Sequence, residues 1–257
     1  MDTADHQAEI LDQFTKQAEP FLARHNNPND GVLSLMVDCA DPRPEDSLLD
    51  VACGPGIVSC FFAARVGHVT GLDMVPAMLA QAQRLQAQRG LKNIAWCLGD
   101  STTLPFADAA FDKVVTRFSF HHFLDPLGAL REMQRVCKTG GTIVVADVTP
   151  AQRAQERFNQ WEILRDPSHT RALTLQELRS LGSQLELKVC RCETFQLEMD
   201  LEDLLRGSFP RAGDADRIRA LFNEEIESGS DELGVAARRS DTGVAITYPV
   251  SVIAWTR

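Results

Sequence analysis

Strand and helix patterns alternate from about residue 47 to residue 148, a glycine turn interrupts them at 53–56, and several strands end on an acidic residue. Alternation at this spacing predicts an α/β fold with a doubly wound, mostly parallel sheet carrying helices on both faces. The 257 residues fit one large domain, and 44% apolar residues are ample for its core.

A first strand is expected at 47–52, running into Cys53-Gly54-Pro55-Gly56, with a helix at 57–65. Two glycines at such a turn let backbone approach a ligand that side chains would hold away, and the following N–H groups favour a carboxylate or phosphate. A second strand at 69–72 ends in Asp73. Pro76 can occupy the first turn of the next helix, which runs through Met78, Ala82 and Leu85 to Gly90. Residues 94–98 form a third strand ending in Gly99-Asp100, and 113–118 a fourth, followed by His121 and His122. Asp125-Pro126 caps a helix with apolar Leu127, Leu130 and Met133, expected to stop at Gly140-Gly141. A fifth strand at 142–146 ends in Asp147.

The flanks read differently. Residues 3–25 carry Ile10, Leu11, Phe14, Ala18, Phe21 and Leu22 at helical spacing. A helix in 151–182 places Ala154, Phe158 and Trp161 on one side, and Thr174 with Glu177 has the spacing of a capping box. Residues 187–197 alternate like a strand, and Ile218, Leu221, Phe222 and Ile226 mark another helix. Residues 244–255 form a closing strand, placed at or near an edge by Pro249. The expected whole is a seven-stranded sheet with its last strand antiparallel, in a single domain covering 1–257. Residues 1–40 read as an N-terminal helical cap, 47–150 as the cofactor-binding core, 151–182 as an insertion, and 183–257 as C-terminal strands and helices.

The formal net charge of −10 disfavours nucleic acid as main partner. Seven scattered cysteines suit reduced thiols, and Cys190-Arg191-Cys192 reads as two cysteines on one strand face. No ligand cluster implies a metal. A polar N-terminus and no apolar run of spanning length lead to the expectation of a cytoplasmic protein without stable membrane insertion. Oligomeric state is left open, a homodimer included.

Two glycines alone leave the cofactor open, because a dinucleotide fold wants a third glycine where this frame has Ser59. The strand-end acids Asp50, Asp73 and Asp100 with Ser101 sharpen the choice. With Asp50 through Gly56, Gly71-Leu72-Asp73-Met74, Gly99-Asp100-Ser101, Leu104-Pro105-Phe106, Phe111-Asp112, Arg117-Phe118-Ser119-Phe120-His121-His122-Phe123 and Gly140-Gly141-Thr142 with Asp147, the chain resembles the class I S-adenosylmethionine-dependent methyltransferases. Within them it is most similar to the ubiquinone/menaquinone-biosynthesis group. Asp166-Pro167-Ser168-His169-Thr170-Arg171 is also similar to a run in that group.

The resemblance implies a Rossmann-like fold with S-adenosyl-L-methionine as methyl donor, S-adenosyl-L-homocysteine as product and the 151–182 insertion as a lid over the acceptor. Cys53, Gly54 and Gly56 would lie under the donor's amino acid tail and ribose, and Asp50 would act on its ammonium. Asp73 would accept from both ribose hydroxyls. Met74 would pack on adenine, with Asp100 at the exocyclic amine and Ser101 beside it, while the backbone at Arg117 and Phe118 holds the tail. His121, oriented by Asp147, is the candidate base. Phe14, Phe21, His122, Trp161, His169 and Arg171 are candidates for binding the acceptor, a quinone precursor or secondary metabolite methylated on O, C or N. Two alternatives stay open: an NAD(P)-dependent oxidoreductase, and a non-catalytic adenosylmethionine-binding protein.

Overall fold

The structure, a computed structural model, describes residues 3–25 and 30–257. The parts of the expected 1–40 cap at residues 1–2 and 26–29 lie outside the described residues. The helices are α1 (Thr3–His25), α2 (Gly31–Ala40), α3 (Ile57–Phe62), α4 (Pro76–Gln88), α5 (Pro126–Val136), α6 (Gln155–Arg165), α7 (Leu175–Gln184), α8 (Leu201–Arg206) and α9 (Asp214–Ser228). The strands are β1 (Ser47–Val51), β2 (His68–Asp73), β3 (Ile94–Leu98), β4 (Phe111–Arg117), β5 (Cys137–Val148), β6 (Lys188–Asp200), β7 (Arg238–Ser240) and β8 (Gly243–Thr256).

They form one sheet in the order β3-β2-β1-β4-β5-β8-β6, with β7 pairing β8 beside that path. The pairs among β1 to β5 are parallel, and β8 runs antiparallel to β5, β6 and β7. The strand order reverses at β1 and β4, the place where an open α/β sheet leaves a crevice at the carboxyl ends of its strands.

Local chemistry sets the boundaries. Pro76 and Pro126 occupy first-turn positions, the Asp125 carboxylate caps α5 through Gly128 N at 2.8 Å, and Thr174 and Glu177 close the expected capping box on α7. One buried cluster runs from α2 and α3 across the sheet to α6, α8 and α9, while a second holds α5 and α7 against the opposite face. Among the described residues no helix is long and apolar enough to cross a membrane. All seven cysteines are free thiols.

Several expectations need correction. The sheet has an eighth strand, because three residues of the expected loop pair with β8 as β7. Helix α5 stops at Val136, and Gly140 and Gly141 lie inside β5; the left-handed Gly140 bends that strand's beginning instead of ending the helix. Pro249, by contrast, is near the sheet edge as expected: β8 lies beside the edge strand β6, and Pro249 falls between the stretch that pairs with β5, which ends at Val250, and the stretch that pairs with β7, which begins at Ala245, so one flank needs no ladder donor there. A register shift between Val189 and Arg191 makes Cys190 the extra residue of a bulge, which breaks the alternation expected for it and Cys192.

Candidate active site

The turn after β1 adopts left-handed backbone at Ala52 (φ 54°), Gly54 (φ 53°) and Gly56 (φ 77°). Glycine takes that conformation freely, whereas Ala52 carries a cost of about 1–2 kcal/mol. Gly56 is also crowded: a Cβ there would stand 2.6 Å from the Trp96 ring and 2.8 Å from the Ala82 methyl. Across the crevice, Phe118 leaves β4 in the same strained conformation (φ 54°). Between these turns opens a cavity of about 290 Å³. Its lining includes Asp50, Cys53, Gly54, Asp73, Met74, Asp100, Ser101, Arg117 and Phe118, so nine of the ten expected cofactor residues meet at one surface. Gly56 stands beneath it, against Trp96 and α4.

Asp73 ties the turn to β2. One oxygen accepts from Gly54 N at 2.7 Å and the other from Val75 N at 2.9 Å, while burial pushes the carboxyl up to about 6. Asp50 accepts the Ser59 hydroxyl at 2.6 Å, which gives a purpose to the serine standing where a dinucleotide fold wants glycine. Its other oxygen, Oδ1, is buried without a partner among the described residues, and burial pushes the group up to about 7. The nearby cation does not neutralise it directly: Arg117 pairs through Nη2 with Asp30 at 2.6 Å, leaving Arg117 Nε buried and unpartnered among the described residues. Asp30 also caps α2 through Val32 N and Leu33 N. Cys53 is buried, and burial lifts its thiol well above the ordinary range, so it is no nucleophile.

At the other end, a short 3₁₀ turn, Phe120–His122, presents both histidines. Asp147, at the end of β5, accepts from Phe120 N at 2.7 Å and meets His121 Nδ1 at 2.6 Å. The carboxylate thus fixes the neutral ring with hydrogen on Nδ1 and a lone pair on Nε2. Burial lowers the His121 pKa, but the charge and hydrogen bond of Asp147 outweigh it and the net shift is upward. His122, 4.3 Å away ring to ring, goes the other way: burial and then His121 take it down to about 3. His122 Nδ1 bonds the Ser168 carbonyl at 3.0 Å.

A second cavity of about 70 Å³ adjoins the first, sharing Phe14, Phe21, Phe118 and His122 as common walls. His121, Leu197, Met199 and Leu204 also line it, together with a buried polar floor of Glu162, Arg165, Asp166 and Tyr248. Arg165 pairs with Glu162 at 2.7 Å and stands 3.7 Å from Asp166, and Tyr248 donates to Glu162 at 2.5 Å.

Three expected acceptor residues are placed elsewhere. Trp161 is wholly buried, its indole N–H bonded to the Leu233 carbonyl at 3.2 Å and its ring packed on Phe158 and Phe222, because α6 turns that side toward α9. His169 bonds Asn159 at 2.7 Å behind His121 and lines neither cavity. Arg171 is half exposed and pairs with Glu177 at the start of α7. Their segment is a bracket instead: Thr170 bonds the His121 carbonyl through N and Oγ1, both at 2.8 Å. Sequence reasoning missed His6, Gln7 and Ile10 of α1, and Glu162, Arg165 and Tyr248. His6, Gln7, Gln13 and Gln17 share the face of Ile10, Phe14 and Phe21 at helical spacing, a signal that was present.

Comparison with known proteins agrees with this geometry. Residues 49–145 match the family described as "Methyltransferase domain". An uncharacterized methyltransferase, YcgJ of Bacillus subtilis (strain 168), is 30% identical over 222 residues, 85% of this chain and 86% of the relative. The YcgJ crystal structure gives a TM-score of 0.80 at 25% identity, covering 88% of this chain and 97% of that one. The ubiquinone/menaquinone biosynthesis C-methyltransferase UbiE of Ruegeria sp. (strain TM1040) is 38% identical over 115 residues, 44% of this chain and 46% of the relative. Sheet order, strand-end acids and these likenesses agree, and the chain belongs to the class I S-adenosylmethionine-dependent methyltransferases.

Proposed function

We propose that this enzyme methylates a small organic acceptor carrying an acidic hydroxyl or enol, held in the second cavity and deprotonated by His121. The observation that carries the reading is the Asp147-fixed His121 ring on the wall of a cavity that shares Phe14, Phe21, Phe118 and His122 with the larger one.

The larger cavity suits the methyl donor. Asp50 Oδ1 is a buried acceptor waiting for a cation, and Arg117 Nε is a buried donor waiting for an anion. These are the charges of an amino acid tail. Asp73 and Asp100 bring carboxylates to the ribose and adenine positions that the resemblance assigns them. When bound, adenosylmethionine supplies a methyl group already activated on a sulfonium. What remains for the chain is alignment, exclusion of water and removal of one proton. His121 Nε2 takes the acceptor's proton, and Asp147 stabilises the imidazolium that results.

Acceptor chemistry follows from the floor. Arg165 spends Nε and one N–H of Nη2 on Glu162, and one N–H of Nη1 on Ser208. Nη1 also ion-pairs with Asp166 at 3.7 Å, which leaves one N–H of Nη2 to meet an acceptor oxygen. Two buried carboxylates already balance its charge, so a carboxylate or phosphate acceptor is disfavoured. Aromatic walls at Phe14, Phe21 and Phe118 fit a flat ring. In this reading a quinone precursor or a phenolic secondary metabolite is the acceptor class, no metal takes part, and nucleic acid is not a substrate. The reaction takes place in the cytoplasm. A homodimer is compatible with it but not required.

The test measures adenosylhomocysteine release from labelled donor over a panel of phenols, enols, carboxylates and amines, with calorimetric binding of adenosylhomocysteine alongside. Turnover of hydroxyl-bearing rings that His121→Asn loses, with product affinity retained, supports the reading. Equal turnover in His121→Asn overturns the base, and selective turnover of carboxylates overturns the acceptor class.

A further inference from the structure

We propose that helix α1 supplies part of the cofactor site, and that Gln7 reads the adenine amino group together with Asp100. The inference rests on the assignment of Asp100 to adenine made above.

The buried face of α1 is polar where a core helix would be apolar. Gln7 Nε2 donates to Asp100 Oδ2 at 2.8 Å, His6 Nε2 bonds the His122 carbonyl at 2.7 Å, Gln17 donates to Asp166 at 3.0 Å, and Gln13 bonds the Ser208 carbonyl. Three of the four partners, Asp100, His122 and Asp166, line a cavity. Two of the four α1 side chains leave an acceptor atom free, and both line the larger cavity. A carbonyl oxygen can only accept, so His6 carries its hydrogen on Nε2, and its Nδ1 is a bare lone pair. That atom is buried and unpartnered among the described residues, on a side chain 4% exposed that lines the cavity. Gln7 Oε1 also has no partner among the described residues, and Gln7 lines the same cavity.

A ligand in the cavity can supply the donors that these acceptors lack. An adenine amino group has two hydrogens, enough for the Asp100 carboxylate and for Gln7 Oε1. His6 Nδ1 takes a further donor hydrogen of the same ligand. A purine with a 6-oxo group would place an acceptor against both Asp100 and Gln7, so α1 adds to discrimination as well as affinity. A bound adenine would therefore add to the contacts that already seat the helix.

The experiment uses the full chain, with S-adenosylhomocysteine and its 6-oxo analogue S-inosylhomocysteine as probes, read by calorimetry and by amide hydrogen exchange over residues 3–25. The expected result is slower exchange in α1 when adenosylhomocysteine binds, and affinity about tenfold weaker in Gln7→Ala with that protection reduced. The preference for the adenosyl over the inosyl ligand should narrow in the same variant. Unchanged affinity and selectivity in Gln7→Ala, with exchange in α1 indifferent to ligand, overturn the proposal while leaving the cofactor site standing. If Asp73→Ala binds adenosylhomocysteine as the wild type does, the site reading fails and this inference with it.

Discussion

The two halves of the crevice are built on different principles. The larger cavity is floored by strand ends and backbone turns, with Asp50, Asp73 and Asp100 each fixed within a few residues of a strand, and α1 adds side chains on one side. The smaller one is made of side chains from α1, α6, β6, α8 and β8, elements far apart along the chain. The first half rests mainly on the sheet's backbone, and the second is a set of replaceable side chains. A family can keep the first and vary the second, so the donor is more readily inferred than the acceptor.

The comparison can be broken at several points. The largest effect is expected at the base: His121→Asn should lower turnover by about 10²–10⁴-fold while adenosylhomocysteine affinity, measured by calorimetry, stays within about twofold. The mirror image is Asp73→Ala, which should weaken adenosylhomocysteine by about 10²-fold or more by removing charged acceptors for two hydroxyls. A variant that damaged both halves equally would show that they are not separable.

Removing one charge from the polar floor should cost stability. Glu162→Gln leaves Arg165 buried with a weakened partner, an expected loss of about 3 kcal/mol visible as a lower denaturation midpoint.

Asp50 sharpens the comparison through pH. Its carboxyl holds a proton up to about 7 in the fold, whereas it loses one near 3.8 when exposed. The free protein therefore loses stability as pH rises through that window, and Asp50→Asn should be more stable than wild type at pH 8 by about 2–4 kcal/mol. The same variant should bind adenosylhomocysteine more weakly. For the wild type, affinity should fall as pH drops below about 7, because the ionised carboxylate is the form that meets an ammonium.

The smallest effect concerns the His121 titration. Asp147 holds the imidazole above its usual range, so a base-dependent rate should rise with pH through a limb placed above 6.5. Asp147→Asn should move that limb to lower pH and reduce the plateau, as followed in single-turnover experiments.

Legibility in the sequence followed the same division. Asp50, Gly54, Gly56, Asp73 and Asp100 could be read because each has a fixed place relative to a strand, and strands announce themselves by apolar runs. The His121–Asp147 pair was readable for the same reason, since β4 and β5 are neighbours. Trp161 could not be placed, because helical spacing shows which side of α6 is apolar but not whether that side meets a cavity or α9. Glu162 and Arg165 lie on that same helix and read as ordinary surface charge until Tyr248 and Asp166 arrive from elsewhere. Gln7 and Gln17 were obscured by the apolar residues between them. Pro249 was legible because the rule excluding proline from central strands applies at each ladder position, and β8, beside the edge strand, is open on one flank there.

Ala52 and Phe118 bear on how this protein should fail. Both are non-glycine residues held in left-handed backbone at the rim of the crevice, where strand pairing ends. Strained conformations persist only while their surroundings impose them, and local opening begins where that support is thinnest. Warming should therefore loosen the rim before the sheet melts. Inactivation would then precede loss of secondary structure, and the working range of the enzyme would be set by two residues at the crevice, one of which, Phe118, packs on the core.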